Sequence, residues 1–317
     1  MKPRLLITRK IFPEVIERLQ EHFDVMDNQE DLSFERGELL ARVADREALL
    51  VVGTDRIDRD LIGSAPELRI VATATVGYNH IDRVACAERG ISVTNTPNVL
   101  NEATADMAWA LLMAAARRVS ESERWLREGR WDRWEFDQFL GADVWNTTLG
   151  IVGMGRIGSA VARRGRGFAM RVLYHNRSAA ANEAELGATR VDLDTLLAEA
   201  DHVVLVLPYS PETHHLIGER ELALMKPSAT LVNIARGGIV DDLALARALT
   251  EGRIAAAGLD VFENEPALAP ELLACRNIVL TPHLGSATLS SRLGMAMLAT
   301  GNLIAWAEGR DLPTPVK

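Results

Sequence analysis

The chain has few cysteines, few aromatic residues and no long apolar run. Its two cysteines, Cys86 and Cys275, lie far apart in the sequence, which argues against a disulfide framework or a cysteine zinc site. The longest apolar run covers residues 107–116, about half the length that a bilayer core requires. Lys and Arg interrupt residues 1–12, so they do not resemble a signal peptide. We therefore expect a soluble, cytoplasmic protein.

Basic residues are also in the minority. The sequence holds 35 Lys and Arg against 44 Asp and Glu, a formal charge of −9. Without a basic surface, non-specific nucleic-acid binding has no electrostatic source. The hydrophobic and charged fractions, 48% and 25%, are those of ordinary globular proteins, and 317 residues suggest about two domains.

Short β-branched runs alternate with helical patterns along most of the chain. Strands of this apolar density, separated by helices, are typical of parallel sheets covered on both faces. The predicted strands are 4–8, 49–53, 70–73, 92–95, 148–153, 171–174, 202–206, 230–233, 256–261 and 277–281. The fold class is therefore α/β, and we expect two doubly wound parallel-sheet domains, one Rossmann-type and one flavodoxin-like.

The helical patterns suggest where the domains divide. One pattern begins at Asn101, a candidate N-cap, and continues to about Glu128, a helix of ~40 Å at 1.5 Å per residue. A last helix covers residues 290–308. We predict a dinucleotide-binding domain of residues 99–284 and a substrate domain of residues 1–98 with 285–317.

A tryptophan-rich segment follows the long helical pattern. It contains Trp125, Trp131, Trp134 and Trp145. Together with the long helix it suggests a homodimer built around the cofactor domain. The alternative is that these aromatic side chains pack between the two domains.

A glycine-rich loop follows the predicted strand 148–153. The sequence from Gly153 through Gly155 to Gly158 fits G-x-G-x-x-G, with a helical stretch and a second strand after it. The glycines permit a tight turn and close approach of a pyrophosphate, and Arg156 and Ile157 supply N–H groups at the helix start. This context predicts dinucleotide binding.

The second strand of this unit ends without the acid that usually holds the adenosine ribose. Asn176, Arg177 and Ser178 occupy that position. Arg177 is suited to a 2′-phosphate, with the two neighbours as hydrogen-bond donors, so NADP(H) is the preferred cofactor and NAD(H) the second choice. The alternative is that Arg177 is an ordinary surface arginine.

Three later segments carry reactive side chains just after predicted strands. They contain Arg236, Glu265 and His283, and loops beyond the carboxyl ends of parallel strands line the ligand crevice. Arginine suits a carboxylate, and a histidine beside a glutamate is suited to donate a proton near neutral pH. The spacing alone leaves open that His283 and Glu265 are ordinary loop residues. Pro208 and Ala235, which also follow strands, complete the predicted cofactor contacts.

Several of these motifs together resemble the D-isomer-specific 2-hydroxyacid dehydrogenase family. The motifs are the glycine loop, the phrase Val76-Gly77-Tyr78-Asn79-His80-Ile81-Asp82, the turn Thr94-Asn95-Thr96-Pro97 and the segments around Arg236, Glu265 and His283. The sequence is most similar to the glyoxylate/hydroxypyruvate reductase and 2-ketogluconate reductase branch.

The resemblance implies a role for each of these residues. Arg236 binds the substrate carboxylate and polarises the carbonyl, His283 is the acid/base, and Glu265 sustains its charge. Backbone N–H groups near Val76 and Gly77 hold the carboxylate, and Asp260 contacts the nicotinamide amide. The implied reaction is reduction of glyoxylate, hydroxypyruvate or 2-ketogluconate to the D-2-hydroxy acid, with no metal.

Two other functions remain open from sequence alone. One is a non-catalytic nicotinamide-sensing regulator of the same fold, which would be expected to carry extensions or a peptide-docking surface. The other is 3-phosphoglycerate dehydrogenase, whose phosphorylated substrate calls for additional basic side chains. Neither feature is evident in this chain. The neighbouring His214 and His215 are interpreted as solvated or close to the cofactor.

Overall fold

The short apolar runs of the sequence form two separate parallel sheets. The structure is a computed structural model that describes residues 1–316. Within these residues the strands are β1 (Arg4–Ile7), β2 (Asp24–Met26), β3 (Ala48–Val51), β4 (Ile70–Thr73), β5 (Ser92–Thr94), β6 (Thr148–Val152), β7 (Arg171–His175), β8 (Ala188–Arg190), β9 (His202–Leu205), β10 (Thr230–Asn233), β11 (Ala256–Leu259) and β12 (Ile278–Leu280).

Helices connect these strands. They are α1 (Pro13–Gln20), α2 (Arg36–Val43), α3 (Arg59–Ser64), α4 (Arg83–Glu88), α5 (Asn101–Ala116), α6 (Val119–Arg127), α7 (Arg156–Gly165), α8 (Glu183–Leu186), α9 (Leu193–Glu199), α10 (Glu219–Leu224), α11 (Asp242–Thr250), α12 (Pro270–Ala274) and α13 (Leu289–Ala307). In the part of the chain that the structure describes, none of them is long and apolar enough to cross a membrane.

The chain divides into two units. One comprises Met1–Leu100 and the chain from Thr288 onward, and the other is Asn101–Ala287. These divisions lie within three residues of the boundaries predicted from sequence. The two-sheet α/β fold predicted from sequence is confirmed.

The first unit is built on a five-stranded parallel sheet in the order β2-β1-β3-β4-β5. This is the flavodoxin-like order, in which the chain winds outward on both sides of β1 and β3. Helix α13 returns to this sheet, and its Ala296, Ala299 and Leu303 pack in one core with Leu5 and Leu50. The C-terminal helix therefore completes the fold of the N-terminal segment.

The second unit is built on a seven-stranded parallel sheet in the order β12-β11-β10-β9-β6-β7-β8. The strand order reverses between β6 and β9, which is the topological switch point where open α/β sheets bind ligands. Every residue of β9, β10 and β11 is buried, as expected for strands covered by helices on both faces. The loops after β6, β9, β10 and β11 emerge at this one edge.

The prediction of a single long helix over residues 101–128 is wrong. Helix α5 ends at Ala116 and α6 begins at Val119, because Arg118 adopts a left-handed conformation with φ of 55°. The Arg118 guanidinium binds Glu121 at 2.8 Å and lies over the ring of Phe139. The helix therefore breaks at Arg118, whose side chain contacts Glu121 and Phe139. The helical periodicity of the sequence does not indicate this break.

Candidate active site

The glycine loop forms the turn between β6 and α7. Gly153 has a φ of +106°, and a Cβ there would lie 2.5 Å from the carbonyl oxygen of Val206. A Cβ on Gly158 would lie 2.1 Å from the carbonyl oxygen of Gly153, so only glycine allows the helix to start this close to the strand.

The ligand side of the glycine loop is open. No heavy atom lies within 4 Å of the Cβ position of Gly155, so the backbone there is accessible to a ligand. Arg156 and Ile157 begin α7, where N–H groups have no partner inside the helix. The loop therefore fits a pyrophosphate held by backbone N–H groups.

The turn after β7 holds the three residues predicted to contact the adenosine ribose. Arg177 and Ser178 are exposed and Asn176 is half-buried. Arg190 donates hydrogen bonds to the carbonyl oxygens of Asn176 at 3.1 Å and of Arg177 at 2.8 Å. Arg190 therefore fixes this turn, a role that sequence spacing did not reveal.

Two opposite charges lie near this turn, the Arg177 guanidinium and the Glu212 carboxylate. Among residues 1–316, no carboxylate lies within ion-pair distance of Arg177. A hydrogen bond from Ser210 lowers the pKa of Glu212 below its ordinary value, and the Arg177 charge acts in the same direction. The first acid after the turn, Glu183, accepts a hydrogen bond from the Tyr174 hydroxyl.

Pro208 and Ala235 follow the two strands next to β6 on the switch-point side. Pro208 is exposed in the loop after β9, and its carbonyl oxygen accepts a hydrogen bond from Thr213 at 3.2 Å. Ala235 is buried after β10, where Asn233 accepts a hydrogen bond from its N–H at 3.0 Å. Both positions lie at the same edge of the sheet as the glycine loop.

The structure brings His283 and Glu265 together. Nδ1 of His283 lies 2.8 Å from Oε2 of Glu265, and the other oxygen, Oε1, accepts the N–H of Phe262 at 2.8 Å. Burial acts to raise the pKa of Glu265, but the hydrogen bonds from His283 and Phe262 outweigh it and lower the pKa. The glutamate is therefore held ionised, with the histidine oriented so that Nε2 is left for a reacting group.

Arg236 lies close to this pair. Its charge also lowers the pKa of Glu265. Burial lowers the pKa of Arg236 itself, and Glu265 acts in the opposite direction. Asn233 donates a hydrogen bond to the Arg236 carbonyl oxygen at 3.1 Å, which holds the turn after β10. An ionised carboxylate, a histidine and an arginine therefore gather at one edge of the sheet.

The loop that carries His283 is fastened to Asp260. This residue is buried, and its carboxylate accepts hydrogen bonds from the Thr281 hydroxyl and the N–H groups of Leu284 and Gly285, at 2.6–2.7 Å. His283 adopts a φ of 55°, and its N–H binds the carbonyl oxygen of Asp260 at 2.9 Å. Asp260 thus holds the histidine in an uncommon conformation. The contact with a nicotinamide amide stays a prediction.

Val76 and Gly77 belong to the other unit and are half-buried in the loop after β4. Asn95 donates a hydrogen bond to the Val76 carbonyl oxygen at 2.8 Å, and the Thr75 hydroxyl donates one to the Gly77 carbonyl oxygen at 2.6 Å. These contacts fix the orientation of both peptides. Their predicted role in binding a substrate carboxylate stays a prediction.

Comparison with known proteins gives one consistent family. Residues 109–285 match the family described as D-isomer specific 2-hydroxyacid dehydrogenase, NAD binding domain. A glyoxylate reductase from Thermococcus onnurineus is 51% identical over 100% of this chain and 96% of its own length. A glyoxylate reductase from Pyrococcus furiosus is 49% identical over the same shares.

Solved structures agree with the sequence comparisons. A glyoxylate reductase from Paecilomyes thermophila superposes with a TM-score of 0.90 and 36% identity, over 99% of this chain and 98% of that chain. An NADPH-dependent glyoxylate/hydroxypyruvate reductase from Sinorhizobium meliloti, solved in complex with NADP and malonate, has a TM-score of 0.89 and 37% identity. That match covers 100% of this chain and 97% of the other.

Proposed function

The chain belongs to the D-isomer-specific 2-hydroxyacid dehydrogenase family and is an NAD(P)-dependent oxidoreductase, and from this premise we propose that it reduces a small 2-oxo acid to the D-2-hydroxy acid with NADPH. Glyoxylate, hydroxypyruvate and 2-ketogluconate are the candidate substrates. The relatives from Thermococcus onnurineus and Paecilomyes thermophila, both glyoxylate reductases, support glyoxylate among them.

The observation that carries the proposal is the contact of His283 with Glu265 beside Arg236. A carbonyl that gains a hydride develops negative charge on its oxygen, and this charge needs a proton and a cation nearby. Glu265 fixes the ring of His283 through Nδ1, so that Nε2 is left for the substrate. A regulator that only senses the cofactor needs no such acid/base pair.

Each side chain then has one task. When bound, the reduced nicotinamide supplies the hydride, and the protein supplies orientation and electrostatics. Arg236 presents a planar fork that pairs with the substrate carboxylate and stabilises the developing oxygen charge. His283 donates its proton from Nε2 to that oxygen. Glu265 keeps the imidazolium in place until the transfer.

The preference for NADPH rests on the turn after β7. Arg177 is exposed there, with no carboxylate bound to it among residues 1–316, and Arg190 holds the backbone of the turn. A 2′-phosphate carries about two negative charges, which an acid at this turn would repel and Arg177 attracts. The S. meliloti structure in complex with NADP provides independent support.

The test is a steady-state assay of NADPH oxidation with glyoxylate, hydroxypyruvate and 2-ketogluconate, for the wild type and for His283→Ala. We expect turnover of at least one acid by the wild type. We expect kcat to fall by ~10² to 10⁴ in His283→Ala with little change in cofactor affinity, because the imidazole acts only as the alkoxide forms.

A matched control is His22→Ala, since His22 also lies beside a glutamate, with Nδ1 3.6 Å from Oε1 of Glu308. It should retain wild-type kinetics. Absence of turnover with every acid would overturn the proposed function and favour the regulator. An undiminished kcat in His283→Ala would show that His283 does not donate the proton.

A further inference from the structure

A second cluster of ligand-forming side chains lies beside the active-site loops. It consists of His214, His215 and Glu263, and one nitrogen or oxygen atom of each lies within 4.8 Å of those of the other two. The two histidines follow β9, and Glu263 follows β11, 48 residues after His215. The sequence analysis found no metal-ligand spacing because these residues meet only in the folded chain. We call them the His-His-Glu cluster.

Nδ1 of each histidine lies near a polar group outside the cluster. Nδ1 of His214 lies 3.2 Å from the Tyr209 hydroxyl, which leaves Nε2. Nδ1 of His215 lies 3.9 Å from the carboxylate of Asp241, and Nε2 lies 2.9 Å from Oε1 of Glu263. Metal-binding histidines commonly have such an outer partner on the second nitrogen, which sets the ring orientation.

The backbone under the cluster is also held in place. His215 has a φ of 49°, and its N–H binds the carbonyl oxygen of Gly238 at 2.7 Å. The N–H of Glu263 binds the carboxylate of Asp242 at 3.1 Å. The rings of His214 and His215 stack with centroids 3.9 Å apart. The cluster is therefore ordered before any ligand binds.

The charges around the cluster favour a cation. Asp241, Asp242 and Glu263 lie together, and the side chain of Asp242 is 5% exposed. Three carboxylates therefore lie beside the two histidines, and their charges would attract a positive ion to the His-His-Glu cluster.

We propose that the His-His-Glu cluster binds one divalent transition-metal ion, such as Zn²⁺, Ni²⁺ or Co²⁺, with water in the remaining position. Two imidazoles and one carboxylate suit these ions better than Mg²⁺ or Ca²⁺, which prefer oxygen ligands. Tetrahedral ligands about 2.0 Å from a metal lie about 3.3 Å apart. The ligand atoms, now within 4.8 Å of one another, would have to close to this spacing when the ion binds.

Such an ion ties together two loops that flank the active site. Glu263 stands two residues before Glu265, and His215 is in the loop that follows Pro208. The ion would replace the direct hydrogen bond between His215 and Glu263 by a shared coordination. Hydride transfer does not require it, so the binding site is separate from the proposed reaction.

The experiment uses the full chain with its purification tag removed and metal stripped by chelator. Calorimetric titration with Zn²⁺ should give one saturable site, and Co²⁺ should give visible absorption bands of a four- or five-coordinate nitrogen and oxygen site. Zn²⁺ should also raise the melting temperature, because it binds the folded state. His214→Gln, His215→Gln and Glu263→Gln should each weaken binding by at least about tenfold.

Two controls separate the cluster from other ligands. His22→Gln removes a histidine paired with a carboxylate outside the cluster, and Cys275→Ser removes a partly exposed thiol. Both should bind Zn²⁺ like the wild type. Melting curves without metal show whether each variant is folded. A wild type without a saturable site, a Co²⁺ spectrum like that of the aqueous ion, or equal binding by the three folded cluster variants would overturn the proposal.

Discussion

At the scale of single residues, the active site depends on contacts that orient reactive groups. Glu265 uses one oxygen for Nδ1 of His283 and the other for the N–H of Phe262, both at 2.8 Å. Its carboxylate therefore cannot rotate without losing a hydrogen bond. The consequence is a histidine with a fixed ring, which the proposed proton donation to a carbonyl oxygen requires.

Glu265→Gln should move the alkaline limb of the reduction pH profile to lower pH. Without the carboxylate, the imidazolium of His283 loses its proton more readily, so the proton-donating form disappears earlier as pH rises. The pKa of Glu265 is lowered, so the wild-type carboxylate stays ionised across the neutral range and its stabilising contribution is lost only at acidic pH. The measurement is kcat/KM for a 2-oxo acid from pH 5 to 10.

The control for this profile is Glu251→Gln, which removes an exposed carboxylate elsewhere in the same unit. It should leave the profile in place. A Glu265→Gln enzyme with wild-type turnover and an unchanged alkaline limb would show that Glu265 is not the partner of His283 in catalysis.

Cofactor preference should depend on Arg177. Charge-assisted hydrogen bonds contribute ~1.5 to 3 kcal/mol, a preference for NADPH over NADH of roughly ten- to a hundredfold. Asn176→Asp combined with Arg177→Ala removes an attractive group and adds a repulsive one, so the preference should reverse. Use of NADH should survive, because the glycine loop serves both cofactors.

The measurement is kcat/KM for NADPH and NADH at one fixed salt concentration. Arg171→Ala is the control, since Arg171 is an exposed arginine at the opposite end of β7, paired with Glu199 at 2.8 Å. It should not change the ratio. A wild type that prefers NADH, or a double variant whose ratio of kcat/KM for the two cofactors is unchanged, would show that Arg177 is an ordinary surface residue that does not select the cofactor.

The candidate reactive residues could be predicted from the sequence, but the residues that hold them in position could not. Glu265 and His283 stand 18 residues apart, and their pairing followed from the resemblance to a family. Asp260 was expected to contact the cofactor, whereas the structure also shows it holding the His283 loop through Thr281, Leu284 and Gly285. No sequence pattern indicated that Arg190 holds the turn after β7. Such contacts are set by tertiary packing, which residue type and spacing do not encode.

At the scale of elements, glycine governs how closely β6 and α7 pack. Gly158→Ala should destabilise the folded chain by about 1–3 kcal/mol, because the new methyl group overlaps the carbonyl oxygen of Gly153. The same displacement moves the N–H groups of the glycine loop, so NADPH binding should weaken. Thermal melting and NADPH fluorescence titration measure the two effects.

Gly167→Ala makes the same substitution one turn beyond α7, where no heavy atom lies within 4 Å of the Cβ position. It should leave both the melting temperature and the NADPH affinity near those of the wild type. If Gly158→Ala behaved like Gly167→Ala, the close packing of β6 and α7 would not be needed for cofactor binding.

Element prediction succeeded where local pattern and tertiary structure agree. Strands β4 and β10 have the predicted bounds, and every residue of each strand is buried. Strands β2 and β8 were missed, because each has three residues and lies at the edge of its sheet, with exposed positions and no continuous apolar run. The break at Arg118 was missed because a residue with ordinary helix propensity adopts a left-handed conformation there.

At the scale of the whole molecule, sequence order and spatial organisation differ. The first unit is made from both ends of the chain, since α13 packs against the sheet formed by residues before Leu100. The intervening unit holds the glycine loop, the turn at Arg177 and the pair His283 and Glu265. The residues proposed for cofactor binding and for acid/base chemistry therefore belong to one continuous segment, and their motifs follow one another along the sequence.

An apolar surface on the segment between α6 and β6 predicts a homodimer. Trp131, Trp134 and Trp145 are 55%, 72% and 67% exposed, and Phe136 is 87% exposed. Large contiguous apolar surfaces on a folded chain mark interaction sites.

We expect light scattering after size exclusion to give twice the mass of one chain at micromolar concentration. Trp134→Ser combined with Phe136→Ser should shift the equilibrium toward the monomer, because it removes the two most exposed of these aromatic rings. Val84→Ser, which alters a 64% exposed apolar residue in the other unit, should leave the mass unchanged. A wild type that stays monomeric at every concentration, or a double variant as dimeric as the wild type, would mean that these aromatic side chains do not form the interface.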